Sequence, residues 1–113
     1  MPHNFTIPKN RRPVSPGEML DEEFRKPLGL TQKQLAEALG IDRPALNMIV
    51  NGRRRITPET AMRLSIVLGT SADFWLNAQM INDLYEVQHS EAADRLKKRL
   101  KPLRKAQSLG RTA

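Results

Sequence analysis

The sequence predicts an all-α fold, and three observations support this class. Apolar residues recur at intervals of three and four along most of the chain, which is the spacing of one helix face. A Ser, Thr or Asp that can cap a helix precedes each such segment, and glycine follows several of them. No segment alternates apolar and polar residues as a half-buried strand does. We expect a five-helix domain over 15–89, with an extended basic arm over 1–14 and a basic tail over 90–113 that is helical or disordered.

The composition narrows the function classes. The chain has 113 residues and a net charge of +7, and it contains no cysteine for a disulfide, a thiolate zinc site or a nucleophile. The N-terminus is polar and rich in proline, and no apolar run approaches the roughly 18 residues of a membrane span. We therefore expect a cytoplasmic protein with no membrane partner.

The positive charge is concentrated near the C-terminus. Residues 90–113 contain eight lysines and arginines against two acidic residues, so they hold +6 of the net charge. A basic chain suggests a polyanionic partner, although such charge serves solubility as often. In the N-terminal arm, Lys9, Arg11 and Arg12 are candidates for phosphate contacts, and a frayed terminus is the alternative.

The first helix is expected to begin after Ser15, because a capping serine is followed by Pro16 and by Glu18, which can reach back to the cap. Pro27 ends it. Its buried side consists of Met19, Leu20 and Phe24. Its outer side is acidic, and we interpret it as a solvated face, with a docking patch for a basic protein as the alternative: Glu18, Asp21, Glu22 and Glu23.

The segment 31–52 predicts two short helices joined by a tight turn. Thr31 can cap the first helix, and Gly40 can end it in a left-handed conformation. Asp42 caps the second helix, which Asn51 and Gly52 stop. Helices that cross closely need a small residue at the crossing, and Ala36 supplies it. The inward faces are Leu35, Ala36 and Leu39 on the first helix, and Leu46, Ile49 and Val50 on the second.

The outward face of the second helix is polar. Arg43 and Asn47 lie four residues apart on it, and in the major groove Arg can bind guanine and Asn adenine through paired hydrogen bonds. A helical hairpin in an ordinary α-bundle is the alternative. The polar face and the three arginines that follow Gly52 favour DNA binding.

Two further helices follow. Thr57 caps a helix that Gly69 stops, and Ser71 caps the next. That last helix is apolar over so much of its girth that it needs two neighbours, its own core and a second copy of the chain. The candidate seam of a homodimer is Trp75, Leu76, Met80 and Leu84, and core packing is the alternative for Trp75. The tail continues as a weaker helix that Pro102 interrupts, and 105–113 look disordered.

Features of enzymes and metalloproteins are absent. His3 and His89 lie far apart, no glycine-rich phosphate loop follows a strand, and the carboxylates lie on exposed helix faces. We expect no catalytic activity, no metal, no cofactor and no small-molecule substrate.

These residues resemble the lambda-repressor-like (XRE) helix-turn-helix class and, more closely, the HigA/VapI antitoxins of toxin–antitoxin modules. The resemblance covers residues 13–86. Its specific parts are the Ile-Thr-Pro-Glu sequence at 56–59 and the Phe-Trp-Leu-Asn sequence at 74–77. The helix-turn-helix core is shared by many repressors, and the basic tail lies outside the resemblance.

The resemblance implies a dimer that binds double-stranded operator DNA, represses its own operon and neutralises a ribonuclease toxin of the HigB type. Gln32 would bond a phosphate, while Arg43, Pro44 and Asn47 would face bases. Pro44 takes the place of a potential hydrogen-bond donor on this face. An orphan transcriptional regulator with the same fold and no toxin is the alternative. The candidate DNA-binding residues are Gln32, Lys33, Arg43, Pro44, Asn47, Asn51, Arg53, Arg54 and Arg55.

Overall fold

The computed structural model describes residues 12–103, and over that range the secondary structure is helical without strands. The all-α prediction is therefore confirmed. The first helix begins as α1 (Pro16–Met19) and continues as a π-helical segment (Leu20–Arg25). The other helices are α2 (Gln32–Leu39), α3 (Arg43–Val50), α4 (Pro58–Leu68), α5 (Ala72–Gln88) and α6 (Glu91–Arg99). The last of these adds a sixth helix within the predicted tail.

Side-chain caps fix where the helices begin. Ser15 Oγ accepts a hydrogen bond from the Glu18 N–H at 3.1 Å, and the Glu18 carboxylate accepts one in return from the Ser15 N–H. At the start of α3, Asp42 Oδ1 accepts from the Ala45 N–H at 2.8 Å. Each bond satisfies a backbone donor that has no partner within its helix. The remaining predicted caps act in the same way: Thr31, Thr57 and Ser71.

The turn between α2 and α3 is held by a side chain of α4. Gly40 has a φ of 72°, in the left-handed region that favours glycine, as predicted. From α4, Arg63 Nη1 donates to the Leu39 carbonyl at 2.9 Å, and the Glu59 carboxylate holds the same guanidinium through Nη2 at 2.9 Å. This contact was not predicted. It connects α4 to the last residue of α2, directly before the turn.

The core is formed by the first helix together with α2, α3, α4 and α5. Its largest fully buried side chains are Trp75, Leu20, Leu35, Leu46 and Leu64. Burying a leucine side chain contributes about 1.5–3 kcal/mol. Ala36 is only 2% exposed on α2, which packs against α3, as the expected small residue at a crossing. Leu46 and Ile49 turn inward, so the other side of α3 faces solvent.

Trp75 lies in the core rather than on a seam, which is the alternative that the sequence analysis left open for it. The indole is fully buried in the core of the single chain, at centroid distances of 5.3 Å from Phe24 and 5.0 Å from Phe74. Its Nε1–H donates to Thr70 Oγ1 at 2.6 Å, so the one polar atom of the ring is satisfied inside the fold. Leu76 is partly buried against the core, whereas Met80 and Leu84 are exposed.

The first helix does not stay α-helical to its end. From Leu20 it widens to a π-helix, in which the Lys26 N–H donates to the Asp21 carbonyl at 3.0 Å. Within this segment Arg25 pairs with the Asp21 carboxylate and also donates to the Leu30 carbonyl at 2.9 Å. Asp21 is thus mostly buried and paired rather than part of the acidic outer face.

Gly17 sets how closely α1 approaches α3. A Cβ at this position would lie 2.1 Å from the Ile49 carbonyl oxygen and 2.6 Å from that of Val50. Both are backbone atoms at the C-terminal end of α3, so any larger residue would push the two helices apart. The glycine is required for contact and not for its own backbone conformation.

The terminal regions are described in part. Arg12 forms an ion pair with Glu86 of α5 at 2.9 Å, and Lys9 and Arg11 lie outside the described residues. The α6 helix ends at Arg99, with Leu100 as its C-cap, so it stops before Pro102 as predicted. The segment 105–113 also lies outside the described residues, and the division at 14 and 89 stays a prediction.

The Asp21–Arg25 pair predicts a pH dependence of stability. The hydrogen bond from Arg25 lowers the pKa of Asp21 below its ordinary value of 3.8, the charges of Arg25 and Lys26 act in the same direction, and burial opposes them. A pKa lowered by folding means that ionised Asp21 stabilises the fold above the unfolded-state pKa, and that this contribution is lost as pH falls through the folded-state pKa.

We expect Asp21→Asn to lower the free energy of unfolding at neutral pH by roughly 1–3 kcal/mol. We also expect it to flatten the loss of stability as the pH falls through the ordinary pKa of Asp21 and below it. Urea unfolding at several pH values measures both effects. The matched control is Glu23→Gln, which removes an exposed carboxylate from the same segment. A variant whose stability falls with acidity as steeply as that of the wild type would contradict the assignment.

Candidate nucleic-acid interface

The solvent-facing side of α3 is formed by residues that the sequence analysis assigned to DNA. Arg43, Pro44 and Asn47 are exposed and line one shallow depression. Pro44 occupies the first turn of α3, where backbone N–H groups have no partner within the helix, so its missing N–H costs no helical hydrogen bond. Met48 is 40% exposed beside them, while Leu46 and Ile49 point to the core.

Three predicted site residues are joined in a line of hydrogen bonds across this face. Asn47 Nδ2 donates to Gln32 Oε1 at 3.2 Å, and Asn51 Nδ2 donates to Asn47 Oδ1 at 3.0 Å. Gln32 is the first residue of α2, so the line connects the start of α2 with the end of α3. An amide has two N–H donors and two acceptor lone pairs. Asn47 therefore keeps one donor and one acceptor for an external partner.

The segment 52–55, named here the arginine loop, follows the end of α3. The N–H groups of Arg53 and Arg54 donate to the Met48 carbonyl at 2.8 and 3.2 Å, and these bonds close the C-terminal end of α3. Both side chains are exposed, as is Lys33 in the first turn of α2. Among residues 12–103, none of these three cations forms an ion pair, and neither does Arg43. The face is therefore electropositive.

Arg55 points elsewhere. Its guanidinium pairs with the Asp83 carboxylate of α5. The same carboxylate accepts from Gln79 Nε2 at 2.9 Å, and Gln79 Oε1 accepts from the Ile56 N–H at 2.8 Å. The sequence analysis missed Gln79 and Asp83. The only signal was a glutamine on a helix that is otherwise apolar around much of its girth.

The rest of the predicted seam lies along an apolar groove between α5 and the start of α4. Leu76, Met80 and Leu84 line it together with Val87. Ile56 and Pro58 form its other wall. Met80 is 54% exposed and Val87 50%. These exposed apolar side chains are contiguous rather than scattered singly over the surface.

Two further observations concern the chemistry of the described part of the chain. No helix within 12–103 combines the length and hydropathy needed to cross a membrane. In the same range, no cluster of three or more His, Cys, Asp or Glu side chains could hold a metal ion.

Comparison with known proteins agrees with this architecture. The model of the family HTH_3, described as helix-turn-helix, matches residues 22–75. Antitoxin HigA-1 of Vibrio cholerae is 44% identical over 79 residues, which are 70% of this chain and 74% of that protein. The relatives found are antitoxins and transcriptional regulators rather than enzymes.

Solved structures show the same relationship. Antitoxin GraA superposes with a TM-score of 0.78 at 38% identity, covering 83% of this chain and all of GraA. Antitoxin HigA of Pseudomonas aeruginosa, solved with the higBA promoter, superposes with a TM-score of 0.77 at 33% identity, covering 82% of this chain and all of that one. The chain thus belongs to the XRE-type helix-turn-helix family and, within it, to the HigA/VapI-type antitoxins and DNA-binding regulators.

Proposed function

We propose that the chain is an antitoxin that binds operator DNA as a homodimer, represses its own operon and neutralises a HigB-type ribonuclease. The cytoplasm, which holds both the operator and the toxin, is its place of action. The observation that carries the proposal is the outward face of α3. This face combines an unpaired arginine with a hydrogen-bonded row of amides.

The proposed base contacts follow from the bonds that this face leaves unused. Asn47 retains one N–H and one lone pair, and the major-groove edge of adenine offers one acceptor and one donor. Arg43 has a guanidinium that no carboxylate neutralises among residues 12–103, and it suits the two acceptors of guanine. Pro44 supplies an apolar surface of the kind that contacts a thymine methyl group.

The proposed phosphate contacts surround these residues. Gln32 and Lys33 stand at the start of α2, a helix end whose backbone N–H groups favour anions. Asn51, Arg53 and Arg54 stand at the end of α3. Contacts of this kind fix the register of a protein on the duplex without reading sequence.

A single helix reads few base pairs, so such domains commonly bind two-fold sites as dimers. We assign the seam to the groove lined by Leu76, Met80 and Leu84, because it is apolar, exposed and on the last helix of the domain. Trp75 has no part in it.

The toxin partner rests on the family. Two of the similar proteins are antitoxins by name, and their similarity extends over 70% and 83% of this chain. The surface that would bind the toxin is not assigned.

Replacing Arg43 tests base reading. We expect Arg43→Ala to weaken binding to the specific site by ~1–3 kcal/mol and to relax the preference at one base pair. Titrations against duplexes with single base changes measure both. The control is Arg95→Ala, which removes an exposed arginine from α6. Equal losses on specific and random DNA would show that Arg43 only contacts phosphates.

Replacing Leu84 tests the seam. We expect Leu84→Glu to yield a folded monomer with weak operator binding, because a buried carboxylate would oppose dimerisation. Sedimentation and circular dichroism measure assembly and folding. Ile66→Glu on α4 is the control, since Ile66 is 74% exposed and lies outside the groove. If Leu84→Glu stays dimeric, Leu84 does not belong to the seam; if it unfolds, Leu84 belongs to the core.

Purification of the tagged chain from its native host tests the antitoxin role. We expect a small basic protein, encoded next to this gene, to co-purify in a fixed ratio. We further expect that protein to cleave RNA alone and not in the complex. Recovery of the dimer with operator DNA but no such protein would instead favour an orphan regulator.

A further inference from the structure

A buried polar contact connects α5 to the arginine loop. Gln79 is 8% exposed and is the buried polar residue of the described core. Its carbonyl accepts from the Ile56 N–H at 2.8 Å, and its amide donates to Asp83 at 2.9 Å. Asp83 in turn holds Arg55. We name Gln79 and Asp83 the α5 latch.

The latch is the second of two attachments of the loop. The first is the Met48 carbonyl, which receives the N–H groups of Arg53 and Arg54. The latch secures the next two residues, Arg55 and Ile56, to α5. Arg53 and Arg54 therefore lie between two fixed points, although their own side chains are exposed and unpaired among residues 12–103.

The chemistry of the latch fits holding a backbone rather than binding a ligand. A buried backbone N–H needs an acceptor, and Gln79 supplies one from inside the core. Because the other end of its amide is also bonded, the side chain has one orientation. Asp83 then pairs with Arg55, so the Arg55 guanidinium lies next to α5 although 66% of its side chain is exposed.

We propose that Gln79 and Asp83 are positioning residues for DNA binding, which hold the arginine loop so that Arg53 and Arg54 meet the phosphate backbone. The inference rests on the proposed DNA-binding function and adds residues that do not touch DNA. It assigns Arg55 to fixing the loop instead of to a phosphate. Gln79 and Asp83 also line the apolar groove assigned to the seam, next to Met80 and Leu84 on the same helix. A partner chain seated there would lie against the latch.

The test is a cycle of variants that share one readout. Binding is titrated at several salt concentrations on two duplexes, the DNA upstream of the chain's own gene and a random sequence. Each phosphate contact contributes about 0.9 to the slope of log affinity against log salt. Arg53→Ala/Arg54→Ala should therefore flatten the slope by up to about two and weaken both duplexes alike.

Gln79→Met keeps the size of the side chain and removes both hydrogen bonds. We expect it to weaken binding to both duplexes by about tenfold, because the loop backbone that carries the two arginines must then be ordered on binding. The decisive result is the combination. Adding Gln79→Met to Arg53→Ala/Arg54→Ala should cause no further loss, since the latch acts through those arginines.

Controls separate positioning from general destabilisation. Thermal unfolding establishes that each variant is folded at the titration temperature, and Gln88→Met repeats the substitution at an exposed position of α5. If Gln79→Met does not fold, the variant used is Arg55→Ala/Asp83→Ala. It removes Asp83 from the latch together with its partner Arg55, and it leaves the net charge unchanged.

The outcomes are distinct. If the losses from Gln79→Met and from Arg53→Ala/Arg54→Ala multiply in the combined variant, the positioning role of the latch is overturned and the proposed function stands. The same holds if the Gln79→Met protein binds like the wild type. A wild-type chain that binds neither duplex would overturn the proposed function and the latch with it.

Discussion

The outward face of α3 depends on how firmly its opposite face is held. Leu46 and Ile49 anchor the helix in the core. Gly17 lets α1 approach until a Cβ would overlap the Ile49 carbonyl oxygen. Packing of this density leaves little freedom for the helix to rotate, because protein interiors are close-packed and resist small changes of volume. The direction in which Arg43 and Asn47 point is thus set by the packing of the buried face of α3.

Polar side chains then fix the loops next to α3. Arg63 bonds the carbonyl that ends α2, and Gln79 bonds the N–H that precedes α4. Both side chains belong to later helices, and they satisfy backbone groups in the segments that flank α3. An unsatisfied buried backbone group costs about 1–3 kcal/mol, so these bonds define a single position for each loop. The recognition surface is preorganised by contacts that lie behind it and beside it.

Local signals allowed most of this fold to be predicted. The caps at Ser15 and Asp42 and the turn at Gly40 depend on neighbours within a few residues, so the sequence pattern identified them. The outward face of α3 followed from helical periodicity alone. The π-helical segment did not, because an ordinary apolar spacing continues through it.

Contacts between distant residues could not be predicted in the same way. The sequence left Trp75 open between a seam and the core because the girth of α5 exceeds one face, and the packing of Phe24 and Phe74 around it shows that this residue is core. Arg55 was grouped with its neighbours in sequence, yet its partner Asp83 is 28 residues away. A run of like residues does not reveal which member is already paired.

Hydroxyl-radical footprinting of the wild-type chain on the DNA upstream of its gene tests the central claim most directly. Two recognition helices related by a two-fold axis should protect two equal patches on one face of the duplex. Their centres should lie about one helical turn, ~10 base pairs, apart. A single protected patch at saturation, or protection spread evenly along the fragment, would contradict the account of a dimer that reads a specific operator through α3.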